Sequence, residues 1–246
     1  MIKEAIDRIL SLGPPNLEKF GNLNYTDKQL TLVSPPLAET VRCSTLQSLA
    51  GLFKAKFDEL TPQSIFAQIK SPTEVSLTAA KADDYGRRQV WTQATHTPVG
   101  CFDFKQWYTP ENFLIAAQTG FQRVKIQNDD GSFAKDLDYV LGIAASVTAD
   151  RAVENADDGI AQRVALRQGV SLKGDAALRG RVNLAPWRTF VEVDQPLSEF
   201  LFRAKYTDSG VLLALFEADG GRWKLDAIAQ IAAWLNKNLP GVTVIS

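Results

Sequence analysis

Apolar and polar positions along this chain repeat with two periods, and both are clearest near the C-terminal end. Thr189 to Val193 alternates, with Phe190, Glu192 and Asp194 on one side and Thr189, Val191 and Val193 on the other. A period of two predicts a half-buried strand. Gln195-Pro196-Leu197-Ser198 interrupts it, because proline has no N–H for a ladder. Phe200, Phe202, Ala204 and Tyr206 then share a face opposite Arg203 and Lys205, and Thr207-Asp208-Ser209-Gly210 is a turn by composition. Val211 to Phe216 is a continuous apolar run, as in a strand covered on both faces. After Asp219-Gly220-Gly221 the spacing becomes helical, with Trp223, Ala227, Ile228, Ile231, Trp234 and Leu235 on one side. Pro240-Gly241 stops that helix and Val242 to Ile245 supplies a last strand. The pattern predicts a three-strand meander, a helix packed back on it, and a short final strand.

The earlier chain reads in the same way. Residues 2 to 12 form an amphipathic helix with Ile2, Ile6, Ile9 and Leu10 on one face, ended by Gly13-Pro14-Pro15. Leu17 to Val33 predicts a hairpin turning at Gly21-Asn22, and Ser34-Pro35-Pro36 a linker. Ser44-Thr45-Leu46-Gln47 has the spacing of a capping box before a helix that buries Leu46, Leu49, Leu52 or Phe53, and Phe57. Ile65 to Ile69, Glu74 to Thr78 and Arg88 to Thr95 are three strands of an antiparallel meander. Thr109-Pro110-Glu111 opens a helix, with Thr as cap and Pro in the first turn. Asp129-Asp130-Gly131 separates it from a second helix over about Ser132 to Val147. Val153 to Val170 predicts a hairpin around Asp157-Asp158-Gly159. Meanders with separated helices define an α+β class, not alternating βαβ. The expected division is residues 1–36, a helix and hairpin, and residues 37–246, the main domain, with 37–148 and 149–246 as candidate subdomains.

Composition narrows the function classes. The 246 residues carry a formal net charge of −1, which gives no general attraction to nucleic acid or a membrane surface. With Cys43 and Cys101 as its two cysteines, the chain has no disulfide framework or Cys-based zinc cluster to offer. Its single His96 removes the usual multi-His metal sites. No metal and no cofactor are expected. The first residues lack an apolar signal core and no apolar run reaches membrane-spanning length, so the expectation is a soluble cytoplasmic protein without a membrane partner.

Several motifs carry a wider likeness: the N-terminal helix and hairpin, Ser44-Thr45-Leu46, Ser71-Pro72-Thr73-Glu74-Val75, Asp157-Asp158-Gly159, Arg188 to Pro196, and Ala214 to Trp223. On these the sequence resembles a group of phage and prophage proteins that carry no agreed activity. The resemblance implies a phage-encoded protein of the host-cell cytoplasm, outside the structural gene set. It transfers no catalytic residues.

Candidate chemistry gathers in the C-terminal stretch. Glu217 and Asp219 flank Ala218 and would point to one side of a strand, as a metal-binding or acid–base pair could. Two carboxylates are few for a metal, and Asp219 also suits a helix cap. Gly220-Gly221 before a helix could cradle a phosphate, or simply make a tight turn. Trp187-Arg188 and Arg222-Trp223 each join an aromatic plane to a guanidinium, which suits stacking on a base beside a phosphate, a protein interface, or a core Trp next to a surface Arg. If Arg188 opened the first meander strand, it would lie about a strand length, on the order of 17–20 Å, from Arg222. A basic run (Arg163, Arg167, Lys173, Arg179, Arg181, Arg188) follows an acidic one (Asp136, Asp138, Asp150, Glu154, Asp157, Asp158), as an electropositive pocket or self-complementary oligomer faces would require.

The leading expectation is a homo-oligomer that acts by binding. Its partner would be a nucleotide-type ligand such as a host defence signal, single-stranded nucleic acid, or a host protein. The alternatives are a metal-dependent phosphate-ester enzyme using Glu217 and Asp219, and a structural or assembly protein.

Overall fold

The computed structural model describes residues 2–13, 16–26, 32–97, 102–124, 126–127, 133–147, 153–157, 162–168, 171–208 and 210–246. The fold is α+β. Helix α1 (Ile2–Leu12) precedes a hairpin of β1 (Leu17–Phe20) and β2 (Leu23–Thr26), to which β3 (Leu32–Val33) adds a short third strand. The turn falls at Gly21-Asn22 as the sequence predicts. Strand β4 (Val41–Cys43) leads into α2 (Leu46–Lys54). Its cap is Thr45, whose hydroxyl accepts from the Ser48 N–H, one residue later than the predicted box. A 3₁₀ turn (Phe57–Glu59) then leads to β5 (Ile65–Ser71), β6 (Glu74–Ala79) and β7 (Val90–Thr95), the predicted antiparallel meander.

Helix α3 (Pro110–Gly120) starts at Thr109 as predicted, the Thr hydroxyl accepting from the Asn112 N–H. The short strands β8 (Phe121–Gln122), β9 (Ile126–Gln127) and β10 (Phe133–Ala134) precede α4 (Asp136–Ser146). The Asp129-Asp130-Gly131 separator lies outside the described residues. Strands β11 (Val153–Asp157) and β12 (Gln162–Gln168) make the predicted hairpin, its turn also outside the described residues, and β13 (Ser171–Leu178) continues it. Then come β14 (Arg181–Pro186), β15 (Ser198–Thr207), β16 (Gly210–Glu217), α5 (Trp223–Asn238) and β17 (Thr243–Ile245).

The C-terminal meander, helix and last strand are present, with two departures: α5 packs on the other large sheet at β5 and not back on the meander, and the meander has one change of membership. The first meander strand is β14, not Thr189–Val193. In that segment Thr189, Phe190 and Val193 are buried while Val191 is 61% exposed, an inside–outside pattern that is not the period of two. The Gln195 side chain captures this backbone, so its polar groups are satisfied locally instead of in a ladder. Strand β17 lies beside β5, in parallel, at the far edge of the other large sheet.

Two buried cores result. One packs α3 and α4 on β14–β16, with Phe113, Phe200, Phe202, Leu213 and Leu215 at its centre. The other packs α2 and α5 on β5–β7, with Leu46, Leu49, Leu77, Ile231 and Leu235. Each core draws on residues from both sides of position 148, so neither is confined to 37–148 or 149–246. Phe190 and Val193, which follow the first core's strand β14, belong to the second core. The segment from Trp187 to Leu197 therefore joins the two. The apolar face of α1 is left open, Ile2 being 79% exposed, with Ile6 and Ile9 exposed beside it. No helix among the described residues is long and apolar enough to cross a membrane.

Candidate functional site

The connecting segment is held from three directions. Strand β14 ends by pairing Pro186 with Phe121, and the next N–H, of Trp187, donates to the Gly120 carbonyl at 2.9 Å. Gln195, almost fully buried, then acts as a template for the turn. Its Oε1 accepts from the N–H groups of Arg188 (2.9 Å) and Thr189 (3.1 Å). Its Nε2 donates to the carbonyls of Phe190 (3.2 Å) and Val193 (3.3 Å). One amide side chain thus replaces the partners that a strand neighbour would have given. The segment reaches the second core through Thr189, whose hydroxyl donates to the Pro72 carbonyl, and through Glu192, whose Oε1 accepts from the Gln47 N–H at 2.9 Å in the first turn of α2. A carboxylate there suits both the unpaired N–H and the positive end of the helix.

Arg188 is the centre of the site. Its side chain is only 10% exposed. Nη1 pairs with Glu217 at the end of β16, and Nη2 donates to the buried Ser198 hydroxyl at the start of β15. The guanidinium lies 4.1 Å from the Trp223 ring centre, 5.7 Å from Phe200 and 5.8 Å from Phe104, within cation–π range of all three. Burial pushes its pKa down, opposed by the carboxylates of Glu217 and Asp219, and it stays a cation. Its Nε–H is buried without a hydrogen-bond partner among the described residues. Asp219 accepts from the Gly221 N–H through Oδ1 at 2.9 Å, and its Oδ2 is buried without a hydrogen-bond partner among the described residues. Burial would raise the Asp219 pKa, but the Gly221 N–H, the nearby Ser198 hydroxyl and the Arg188 charge outweigh it and hold the carboxyl below its ordinary value.

Strands β14 and β16 run the same way, each antiparallel to β15. Arg188 follows the end of β14 and Trp223 follows the end of β16, so Trp187, Arg188 and Trp223 meet at one end of the sheet. This overturns the expected strand-length separation, which assumed that Arg188 opened the first strand. Five of the six predicted residues (Trp187, Arg188, Glu217, Asp219 and Trp223) surround this point. Arg222 does not join them: its side chain is 80% exposed and lies 3.9 Å from Asp226 on its own helix. Gly220 and Gly221 have φ of 63° and 83°, which the turn from β16 into α5 requires. The Gly221 N–H is occupied by Asp219, so this loop does not present it to a phosphate.

A cavity of about 270 Å³ opens beside Arg188, walled by Phe102, Phe104, Pro186, Trp187 and Trp223. Phe102, Phe104 and Gln195 escaped the sequence reading. The aromatic run from Phe102 to Tyr108 was a usable signal for the first two, whereas nothing in a lone Gln announces five local hydrogen bonds. A wider cleft of about 720 Å³ lies elsewhere, lined by Asp58, Glu59, Lys81, Arg88 and Trp91. Its Arg88 donates to the carbonyls of Ala79 and Ala80, and neighbouring Arg87 pairs with Asp83 at 2.7 Å. The basic run is also engaged within the chain. Arg179 reaches Asp136 at 3.5 Å and Arg181 reaches Glu199 at 2.8 Å. The side chains of Arg163, Arg167 and Lys173 are outside the described part of the structure.

His96 packs against Phe190 at 5.7 Å, and its Nε2 is buried and unpartnered among the described residues. Burial lowers its pKa, with Glu192 opposing. A depressed histidine pKa means that the unfolded chain binds more protons in the window below about pH 6.5, so stability falls as pH drops through it. Urea midpoints between about pH 7.5 and 5.5 should therefore fall for the native chain and fall less for His96→Asn. Equal losses in both would remove this assignment.

Comparison of the chain with protein families, characterised proteins and solved structures returns no match.

Proposed function

We propose that this chain is a binding protein that holds a nucleotide-type ligand in the cavity between Trp187 and Trp223, without chemistry. The observation that carries this reading is Arg188: a guanidinium nine-tenths buried, packed on aromatic rings and lining a cavity. Aromatic walls with a few fixed polar groups are the usual make-up of a small-ligand pocket. The enzyme reading is less well supported. Glu217 is engaged by Arg188 and Asp219 by the Gly221 N–H. Among the described residues no group of three or more His, Cys, Asp or Glu could hold a metal. A homo-oligomer belongs to the same proposal, and the open apolar face of α1 supports it.

Isothermal titration calorimetry with adenosine monophosphate tests the reading, with light scattering on the same samples for the oligomer. Saturable binding is expected, weakened about tenfold or more in Trp187→Ala and Trp223→Ala. A flat titration with the nucleotide, the nucleoside and a single strand alike would contradict it.

A further inference from the structure

We infer that the cavity beside Arg188 selects the uncharged ring of a nucleobase and leaves any phosphate outside. This rests on the reading that the cavity binds a nucleotide-type ligand, and it names the part that is recognised. An arginine reads phosphate with the two-pronged end of its guanidinium. Here each terminal nitrogen already spends one of its two N–H groups, Nη1 on Glu217 and Nη2 on the Ser198 hydroxyl. The charge is offset as well, since Glu217 and Asp219 both act on it. A phosphate entering the cavity would meet an arginine whose charge is offset, apolar walls and, among the described lining residues, no second cation. Its desolvation would go uncompensated.

What remains is a set of aromatic walls, Phe102, Phe104, Trp187 and Trp223, around a guanidinium that is only 10% exposed. Such walls fit the face of a planar heterocycle. Stacking on the rings supplies the affinity. At about 270 Å³ the cavity falls just below the range of drug-sized pockets, about 300–1,000 Å³. It takes a base with at most its sugar, not a dinucleotide. The exposed Arg222, at the same end of the sheet, lies outside the cavity walls.

The test compares adenosine, adenosine monophosphate and inorganic phosphate by calorimetry on the full chain, at about 50 and 300 mM salt. Adenosine and its monophosphate are expected to bind within about threefold of each other and to be insensitive to salt, with no heat from phosphate. A ten-nucleotide deoxyadenosine strand, compared at equal base concentration, tells a free nucleoside from a base within a strand, and binding by either supports base recognition. Binding of the monophosphate with none of adenosine, falling steeply with salt, would overturn the inference and leave the cavity reading standing. No binding of any probe would remove both.

Discussion

Phe190→Ala lowers the free energy of unfolding by about 3–5 kcal/mol, the usual cost of removing a fully buried phenylalanine. Phe190 has no solvent exposure and sits among the residues of the second core, although the chain reaches it directly from a strand of the first. Truncation opens a cavity where α2, α5 and β5–β7 converge. The flanking Gln195 hydrogen bonds hold the backbone in place, so the structure has little freedom to collapse into the gap. Val191→Ala is the matched control. Val191 is 61% exposed, and its loss is expected to stay within about 0.5 kcal/mol. Urea denaturation of the two variants distinguishes the turn from the alternating strand that the sequence suggests. In a strand, Val191 and Val193 share a face, and Val191→Ala would then cost as much as Val193→Ala.

Arg188→Ala is expected to cost about 3 kcal/mol, at the lower end of the range for breaking a buried charge pair, because Glu217 is 45% exposed and can turn to water. The Ser198 hydroxyl and Asp219 Oδ2 have no such escape and are left buried. Arg188→Lys keeps the charge but offers a point donor where two partners need a fork, so it falls between Ala and the native residue. Arg222→Ala should change stability by no more than about 0.5 kcal/mol, since its side chain is 80% exposed and Asp226 is 3.9 Å away on an exposed helix face. Denaturation midpoints for the three variants check this order. Equal losses at Arg188 and Arg222 would mean that Arg188 is not the buried centre of the site.

Much of this architecture is legible from local pattern. Thr109-Pro110 and Pro240-Gly241 punctuate helices by backbone rules that need no tertiary partner, and β15–β16 follow from unbroken alternation and a long apolar run. The misreading at Thr189–Val193 has a physical origin. Its residues alternate in polarity, yet a side chain just beyond the segment, Gln195, decides the backbone, and period alone cannot see a competing hydrogen-bond partner. Strand β14 passed unnoticed because it ends in Pro186, which looks like a breaker. The candidate residues were nearly all legible because Trp and Arg adjacent at element ends are rare enough to notice. Their mutual geometry was not legible. Moving Arg188 from the start of one strand to the end of another reverses which end of the sheet it occupies. That one shift brings Trp187, Arg188 and Trp223 together around one cavity and leaves Arg222 outside it.

The most direct measurement of the account is the set of intermolecular nuclear Overhauser effects from the ring protons of bound adenosine to the five indoles of the protein. The account predicts effects to Trp187 and Trp223, which wall the 270 Å³ cavity, and none to Trp91. Effects to Trp91 alone would place the ligand in the 720 Å³ cleft and contradict it.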